Sequence, residues 1–302
     1  MTVQIANTPV SWGVHYPLDP RNDPWEQVLD GIAAAGYRQT ELGALGYVPE
    51  DPALLREALD SRGLTPTAMY VFQPAHADRA AQADVVERSR RSCELLAAVG
   101  GQLLVIIDER NPLRIPTAGR SGDAQRIDDA GFEQLIADMT GLGEVAVAAG
   151  ITPVLHPHVA GYVEFEDEIA RAAEALAGTP VKLCIDTGHC AYAGIDAAAL
   201  YRRFADRVAH LHFKDVDGDV LARVVAQRID FDTAMLEGVF CPIGQGVTDF
   251  EAFATALDEH GYDGTATVEQ DHEPSDPGKA AKALAGAVAS LEFLRRSGLA
   301  AD

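Results

Sequence analysis

The chain has 302 residues, with 24 Lys and Arg against 46 Asp and Glu, for a formal net charge of −22. Its 47% hydrophobic and 23% charged residues give a globular composition able to bury a sizeable core, which excludes a disordered chain. So large an excess of carboxylates repels phosphate backbones and anionic bilayers, so neither a nucleic acid nor a membrane surface is an expected partner.

Along the chain, short β-rich apolar runs alternate eight times with longer helical patterns. The predicted strands are Gln4–Val10, Gln39–Leu42, Thr67–Phe72, Gln102–Ile107, Thr152–His156, Lys182–Asp186, Val208–Lys214 and Thr265–Glu269. The predicted helices are Pro24–Ala35, Pro52–Ser61, Asp78–Val99, Asp129–Ala149, Glu166–Ala177, Asp196–Ala205, Asp249–His260 and Asp276–Arg296. Several open on Asp or Pro and stop at Gly36, Gly63, Gly100, Gly150 or Gly261, as capping chemistry prefers.

Eight β-then-α units without a low-complexity linker predict an α/β protein, a single (β/α)8 barrel over residues 1–302. The alternative is a doubly wound open sheet. Neither a Gly-x-Gly-x-x-Gly turn after the first strand nor a Gly-x-x-x-x-Gly-Lys-Ser/Thr loop is present, so no nucleotide cofactor is expected. Two connections exceed ordinary βα length, Asp108–Asp128 and Val216–Thr248. Both follow strand C-termini, where barrels place their active sites, so they read as lids or substrate walls.

The start of the chain (MTVQIANTPVSWG) has no basic region followed by an apolar one, and no apolar run is long enough to span a bilayer, so a cytoplasmic location is expected. Cys93, Cys184, Cys190 and Cys241 form no Cys-x-x-Cys pair and read as reduced, packed thiols. A homo-oligomer is compatible with the long loops, but nothing in the sequence specifies one.

The informative polar residues close strands: His156 in LHPH, Asp186 in LCIDTGH, His212 in HLHFKD and Glu269 in ATVEQD. Side chains alternate along a strand and parallel barrel strands converge at their C-terminal ends, so strands five to eight offer two imidazoles and two carboxylates to one point. That set suits a divalent first-row ion, Mn²⁺, Co²⁺ or Zn²⁺, more than Mg²⁺. A lone histidine at a strand end is more often simply hydrogen-bonded, but four ligand-competent residues on consecutive strands make that reading hard to sustain.

The runs VSW, TELG, HPHVAGYVE, DTGHCAYAG, HLHFKDV and FCPIGQGVTDFEAFATALDEHGYDGTATVEQD together resemble the inosose dehydratase branch of the xylose isomerase-like barrels. The resemblance covers nearly the whole chain and is sharpest from Phe240 to Phe250, an F-x-x-x-G-x-G-x-x-D-F stretch. It implies a metal-dependent enzyme acting on a polyol, cyclic ketose or sugar, with His156, Asp186, His212 and Glu269 as metal ligands. It also implies substrate contact at His189 and pocket-facing carboxylates at Glu41 and Glu109. The segment after Glu109 (RNPLRIPTAGRSGD) departs from the pattern, and Gln245 stands where an acidic residue is common. Both bear on the substrate wall.

The constellation implies proton abstraction α to a carbonyl followed by loss of a β-hydroxyl, and the resemblance makes this dehydration of an inosose-like ketose. Reprotonation instead of loss would make the protein a sugar isomerase or epimerase. A polyol-binding barrel without turnover is a further reading, and a metal-barrel endonuclease is disfavoured by the charge. The base is expected among His158, His189 and Glu109. Lys214 is a candidate for polarising the carbonyl or the leaving oxygen, its plain alternative being an ion pair with Asp215 or Glu269. His158 and His210 flank ligand positions as substrate contacts or ligand-orienting partners. Trp12 and Tyr16 are candidates for an apolar wall against a sugar ring. His15 and His76 carry no assignment.

Overall fold

The computed structural model describes residues 3–76, 78–276 and 278–300; Pro277, inside the last predicted helix, lies outside them. Its strands are β1 (Gln4–Asn7), β2 (Gln39–Thr40), β3 (Thr65–Pro66), β4 (Ala68–Gln73), β5 (Leu103–Asp108), β6 (Thr152–His156), β7 (Lys182–Asp186), β8 (Val208–Phe213), β9 (Asp215–Val216), β10 (Phe240–Cys241) and β11 (Thr265–Val268). Its helices are α1 (Trp25–Ala34), α2 (Pro52–Asp60), α3 (Arg79–Val99), α4 (Asp129–Ala148), α5 (Glu166–Ala175), α6 (Thr187–Tyr192), α7 (Ala197–Phe204), α8 (Gly218–Gln227), α9 (Phe231–Leu236), α10 (Phe250–Glu259) and α11 (Lys279–Arg296).

Nine strands form one parallel sheet in the order β3-β2-β1-β11-β8-β7-β6-β5-β4. β3 and β4 are one stave interrupted at Thr67, whose N–H donates to the Thr40 carbonyl (2.9 Å) and whose carbonyl accepts from Gln102 and Leu103 (2.9 and 3.1 Å). Leu42 N–H reaches the Ala68 carbonyl at 2.9 Å. The two ends of the sheet therefore meet, and the chain closes as the expected (β/α)8 barrel.

Alternation decides what each stave buries. Leu104, Ile106, Leu155, Leu183, Ile185, Leu211, Phe213, Ala266 and Val268 point outward into the main core beneath the helices. Their neighbours Val105, Ile107, Val154 and Cys184 fill the barrel interior. Each such large side chain taken from water contributes roughly 1.5–3 kcal/mol. The helices start where aspartates stop the strands' return: Asp51, Asp78, Asp128, Asp196 and Asp249 each accept a backbone N–H of the following first turn, worth about 1 kcal/mol apiece.

Three local features differ from the sequence-based expectation. The first strand stops at Asn7, because Pro9 has no N–H for the ladder and Thr8 caps one 3-10 turn over Pro9–Trp12. The segment Val216–Thr248 is folded: β9 pairs antiparallel with β10, and α8 and α9 lie between them over their own core of Val224, Phe231, Ala234, Met235, Val239 and Phe240. Finally, α6 follows directly on Asp186 and is too short to leave a helical period in the sequence. The four cysteines carry no disulfide, and among the described residues no helix is long and apolar enough to cross a membrane.

Candidate metal centre and reaction cavity

The C-terminal ends of β6, β7 and β8, with the residue just after β11, bring His156, Asp186, His212 and Glu269 together, all buried, with one ligand-competent atom from each within 4.8 Å of the others. His156 Nε2 lies 3.5 Å from Asp186 Oδ2, and His212 Nδ1 lies 3.4 Å from Glu269 Oε2. Neither ring nitrogen of His156 nor Nδ1 of His212 has a hydrogen-bond partner. Buried polar atoms are nearly always satisfied, so open nitrogens beside two carboxylates mark a set of donors that fits a divalent cation.

The DTGH run is explained atom by atom. Asp186 Oδ1 caps α6 by accepting from His189 N–H at 2.8 Å, which leaves Oδ2 for the centre. Thr187 Oγ1 donates to the Lys214 carbonyl (2.7 Å) and accepts its N–H (3.0 Å). Gly188 is required because a Cβ there would stand 2.5 Å from Lys214 Cγ. The lysine stem thus passes beneath α6, and its Nζ meets Glu269 at 2.9 Å, Asp271 at 3.1 Å and Asp186 at 3.2 Å. Asp215 is not its partner. That carboxylate instead collects the backbone N–H groups of Val216, Gly244, Gly246 and Thr248 (2.9–3.0 Å), the physical meaning of the G-x-G stretch.

Charge follows from this geometry. Burial works against ionising Glu269, but the neighbouring His212 and the Lys214 ammonium bring it down to about 2. Burial likewise opposes a charged Lys214, yet Asp186, Asp271 and Glu269 hold its ammonium well above the usual range. His158 and His189 are pushed well below the ordinary imidazole value by burial, His158 further by His189 and His189 further by Lys214.

Among the base candidates, His158 lines the cavity, and its Nδ1 lies 2.7 Å from the Val159 carbonyl. A carbonyl only accepts, so Nδ1 carries the proton and Nε2 keeps a lone pair. His189 Nε2 instead faces the Lys214 ammonium at 3.2 Å and so is already engaged as an acceptor. Glu109 is half-buried and absent from the cavity wall, which its neighbour Arg110 reaches.

Glu41 and His210 lie beneath the centre, both fully buried. Glu41 Oε1 accepts from His210 Nε2 (2.9 Å), His212 Nε2 (3.0 Å) and Thr267 Oγ1 (2.7 Å). Trp12 is packed against Gly31 of α1 in the main core, and Gln245 lines an outer cleft rather than the cavity. The apolar wall around the cavity comes from Val10, Tyr70, Phe72, Ile107 and Phe231, with His15 at its edge. Two charged lining residues are not among the sequence-based candidates: Arg110, paired with Asp232 of α9 at 2.7 Å, and Asp271. The signal for Asp271 was available, since it stands two residues beyond Glu269 on the same alternating side.

A family model described as xylose isomerase-like TIM barrel matches residues 29–297. The inosose dehydratase of Geobacillus kaustophilus (strain HTA426) is 31% identical over 285 residues, covering 90% of this chain and 88% of that protein. Among solved structures, the IOLI protein with a bound zinc atom superposes with a TM-score of 0.71 at 15% identity over 98% of both chains. An L-ribulose 3-epimerase does so at 0.72 and 18% identity, over 99% of this chain and 95% of its own. The last two likenesses carry the fold alone.

Proposed function

Because the chain belongs to the xylose isomerase-like TIM barrel family, we propose that it is a divalent-metal-dependent lyase that dehydrates an inosose-like cyclic ketose. The observation that carries this reading is one cavity holding a base-competent imidazole, His158, and a buried ammonium, Lys214, beside the four converging ligand atoms. The inosose dehydratase relative supports the substrate class.

His156, Asp186, His212 and Glu269 would hold the ion, which supplies Lewis-acid polarisation of the substrate carbonyl. Two nitrogen and two oxygen donors suit Mn²⁺, Co²⁺ or Zn²⁺ better than Mg²⁺, and Mn²⁺ or Co²⁺ is the ion this reading favours. His158 Nε2 takes the proton from the carbon α to the carbonyl. The released electron pair forms the carbon–carbon double bond as the β-hydroxyl departs, and Lys214 Nζ gives the proton that makes the leaving group water. The product is a conjugated enone, and His158 and Lys214 regain their starting states by proton exchange with solvent. Apolar Phe72, Ile107 and Phe231 keep bulk water from the reacting carbons. Return of the proton to carbon would instead give isomerisation or epimerisation; the inosose dehydratase relative favours elimination. The reading makes the protein a cytoplasmic enzyme of small-molecule polyol metabolism, one barrel over its whole length, with no nucleic-acid or membrane partner.

Purified protein given scyllo-inosose and Mn²⁺ or Co²⁺ should produce enone absorbance in the ultraviolet that EDTA abolishes. No rise with metal present would overturn the dehydratase reading in favour of the isomerase one.

A further inference from the structure

Four acceptors surround Lys214 Nζ: Glu269 at 2.9 Å, Asp271 at 3.1 Å, Asp186 at 3.2 Å and His189 Nε2 at 3.2 Å. An ammonium has three N–H donors to share among them. Asp186 and Glu269 belong to the converging ligand residues, so an ion held there competes with Lys214 for their oxygens. Asp271 and His189 stand outside that set. Of these two, only Asp271 is a carboxylate.

Asp271 also differs from the other buried or helix-starting aspartates in what it touches. Asp215, next in the chain to Lys214, collects four backbone N–H groups, and Asp51, Asp78, Asp128, Asp196 and Asp249 each cap a helix. Asp271 is 6% exposed and ties down no backbone N–H. Its Oδ2 accepts from Lys214 Nζ, the one side chain it pairs with among the described residues, and its Oδ1 has no hydrogen-bond partner. Burying a carboxylate is costly, and this one fastens nothing but the lysine.

Both partners of the contact are themselves held. The Gln270 N–H, between Glu269 and Asp271, donates to Ser11 Oγ at 3.2 Å, and that hydroxyl donates to the Val268 carbonyl at 3.3 Å. The lysine stem runs against Gly188, and its ammonium lies 5.1 Å from the centre of the Phe240 ring. Lys214 and Asp271 line the same cavity as His158.

We propose that Asp271 is a positioning residue, which keeps the Lys214 ammonium at the cavity wall, where an N–H can reach the departing hydroxyl oxygen, when Asp186 and Glu269 are given to the ion. The inference rests on the dehydratase reading, in which Lys214 supplies the proton to that oxygen.

One test reads the ammonium itself. The full chain has four lysines, so with ¹⁵N-labelled lysine and Zn²⁺ bound, the Lys214 ammonium should give a slowly exchanging NMR signal, identified by its loss in Lys214→Met. Asp271→Ala should abolish or shift that signal, and Asp271→Asn, which keeps an acceptor, should preserve it. No such signal in the unaltered protein, or one that Asp271→Ala leaves unchanged, would overturn the proposal. The second test reads turnover of scyllo-inosose by the Mn²⁺-loaded chain. Asp271→Ala should lower kcat about a hundredfold, the effect of misplacing a reacting group by about 1 Å, with KM within about twofold, and Asp271→Asn should recover most of the loss. A loss confined to KM, a loss cured by excess Mn²⁺, or equal losses in both variants would equally overturn it. Absence of turnover in the unaltered protein would defeat the dehydratase reading alone, and the ammonium signal would still decide what Asp271 holds.

Discussion

At Arg114, wholly buried, the guanidinium is spent on partners. Nη1 donates to the Gln125 carbonyl (3.0 Å) and Glu168 (2.8 Å), and Nη2 donates to Glu164 (3.1 Å) and Glu168 (3.0 Å), leaving only Nε without one. Glu164 also accepts the N–H groups of Gly119 (2.6 Å) and Ala160 (3.1 Å), while Glu168 takes those of Glu164 and Phe165, both at 3.0 Å. At the ends of β6 and β8, an equally buried group of charged and titratable residues leaves three imidazole nitrogens open. The difference separates two uses of buried charge. The Arg114 cluster is closed on itself and fastens the segment after β5 to the start of α5. The histidine–carboxylate cluster is complete only with something added.

The comparison breaks most visibly at Glu269. Replacing it by Gln removes one negative donor and one Lys214 partner while keeping the volume. Turnover of scyllo-inosose should fall by about three orders of magnitude or more, since a catalytic cation supplies several kcal/mol of transition-state stabilisation. The far-ultraviolet dichroism should be unchanged, and retained activity would defeat the metal-centred scheme. Arg114→Ala should do the opposite. It leaves buried Glu164 without a cation and Glu168 with Arg126 alone, and costs roughly 3–5 kcal/mol of folding stability, read as a lower urea midpoint, and a midpoint within error of the unaltered protein would deny the cluster its fastening role.

A smaller effect sharpens the comparison from beneath the centre. Glu41 fixes the His212 ring by accepting its Nε2–H, so that Nδ1 faces the other ligands. Glu41→Gln should weaken binding of Mn²⁺ about 10- to 100-fold, the usual cost of losing a ligand-orienting partner, measured by chelator competition. Unchanged metal affinity would mean that the barrel interior alone holds the ring.

What the sequence makes legible tracks this division. The four converging side chains of the proposed metal centre are readable because each closes an apolar strand, where a titratable side chain has no reason to be unless something receives it. The closed barrel is readable from the eightfold alternation. Glu41 is not placed correctly by the same reasoning, because β2 is only Gln39–Thr40 and so short a strand has no alternation to say that the next side chain turns under the centre. Trp12 is misjudged because a 3-10 turn, rather than a strand end, carries it into the core. Arg114 is invisible in sequence: its carboxylates lie 50 and 54 residues away and are joined to it only by the fold.

Asp108, at the end of β5 beside the Arg114 cluster, tests the finest grade of the same distinction. It is fully buried; Oδ2 accepts from Val163 N–H at 2.6 Å and Oδ1 has no partner. Burial, only partly offset by that hydrogen bond and by the Arg114 charge, pushes its carboxyl up to about 7. The folded chain therefore holds a proton that the unfolded chain releases near pH 4, so this group's contribution declines as pH rises from about 4 to about 7 and is level above that. Asp108→Asn keeps the acceptor for Val163 and cannot ionise. Its melting temperature should exceed that of the unaltered protein by a few degrees at pH 8, with the gain shrinking towards zero near pH 4. A gain that is the same at both pH values would mean that the carboxyl is not held protonated by its surroundings, and that Asp108 belongs with the satisfied residues around Arg114.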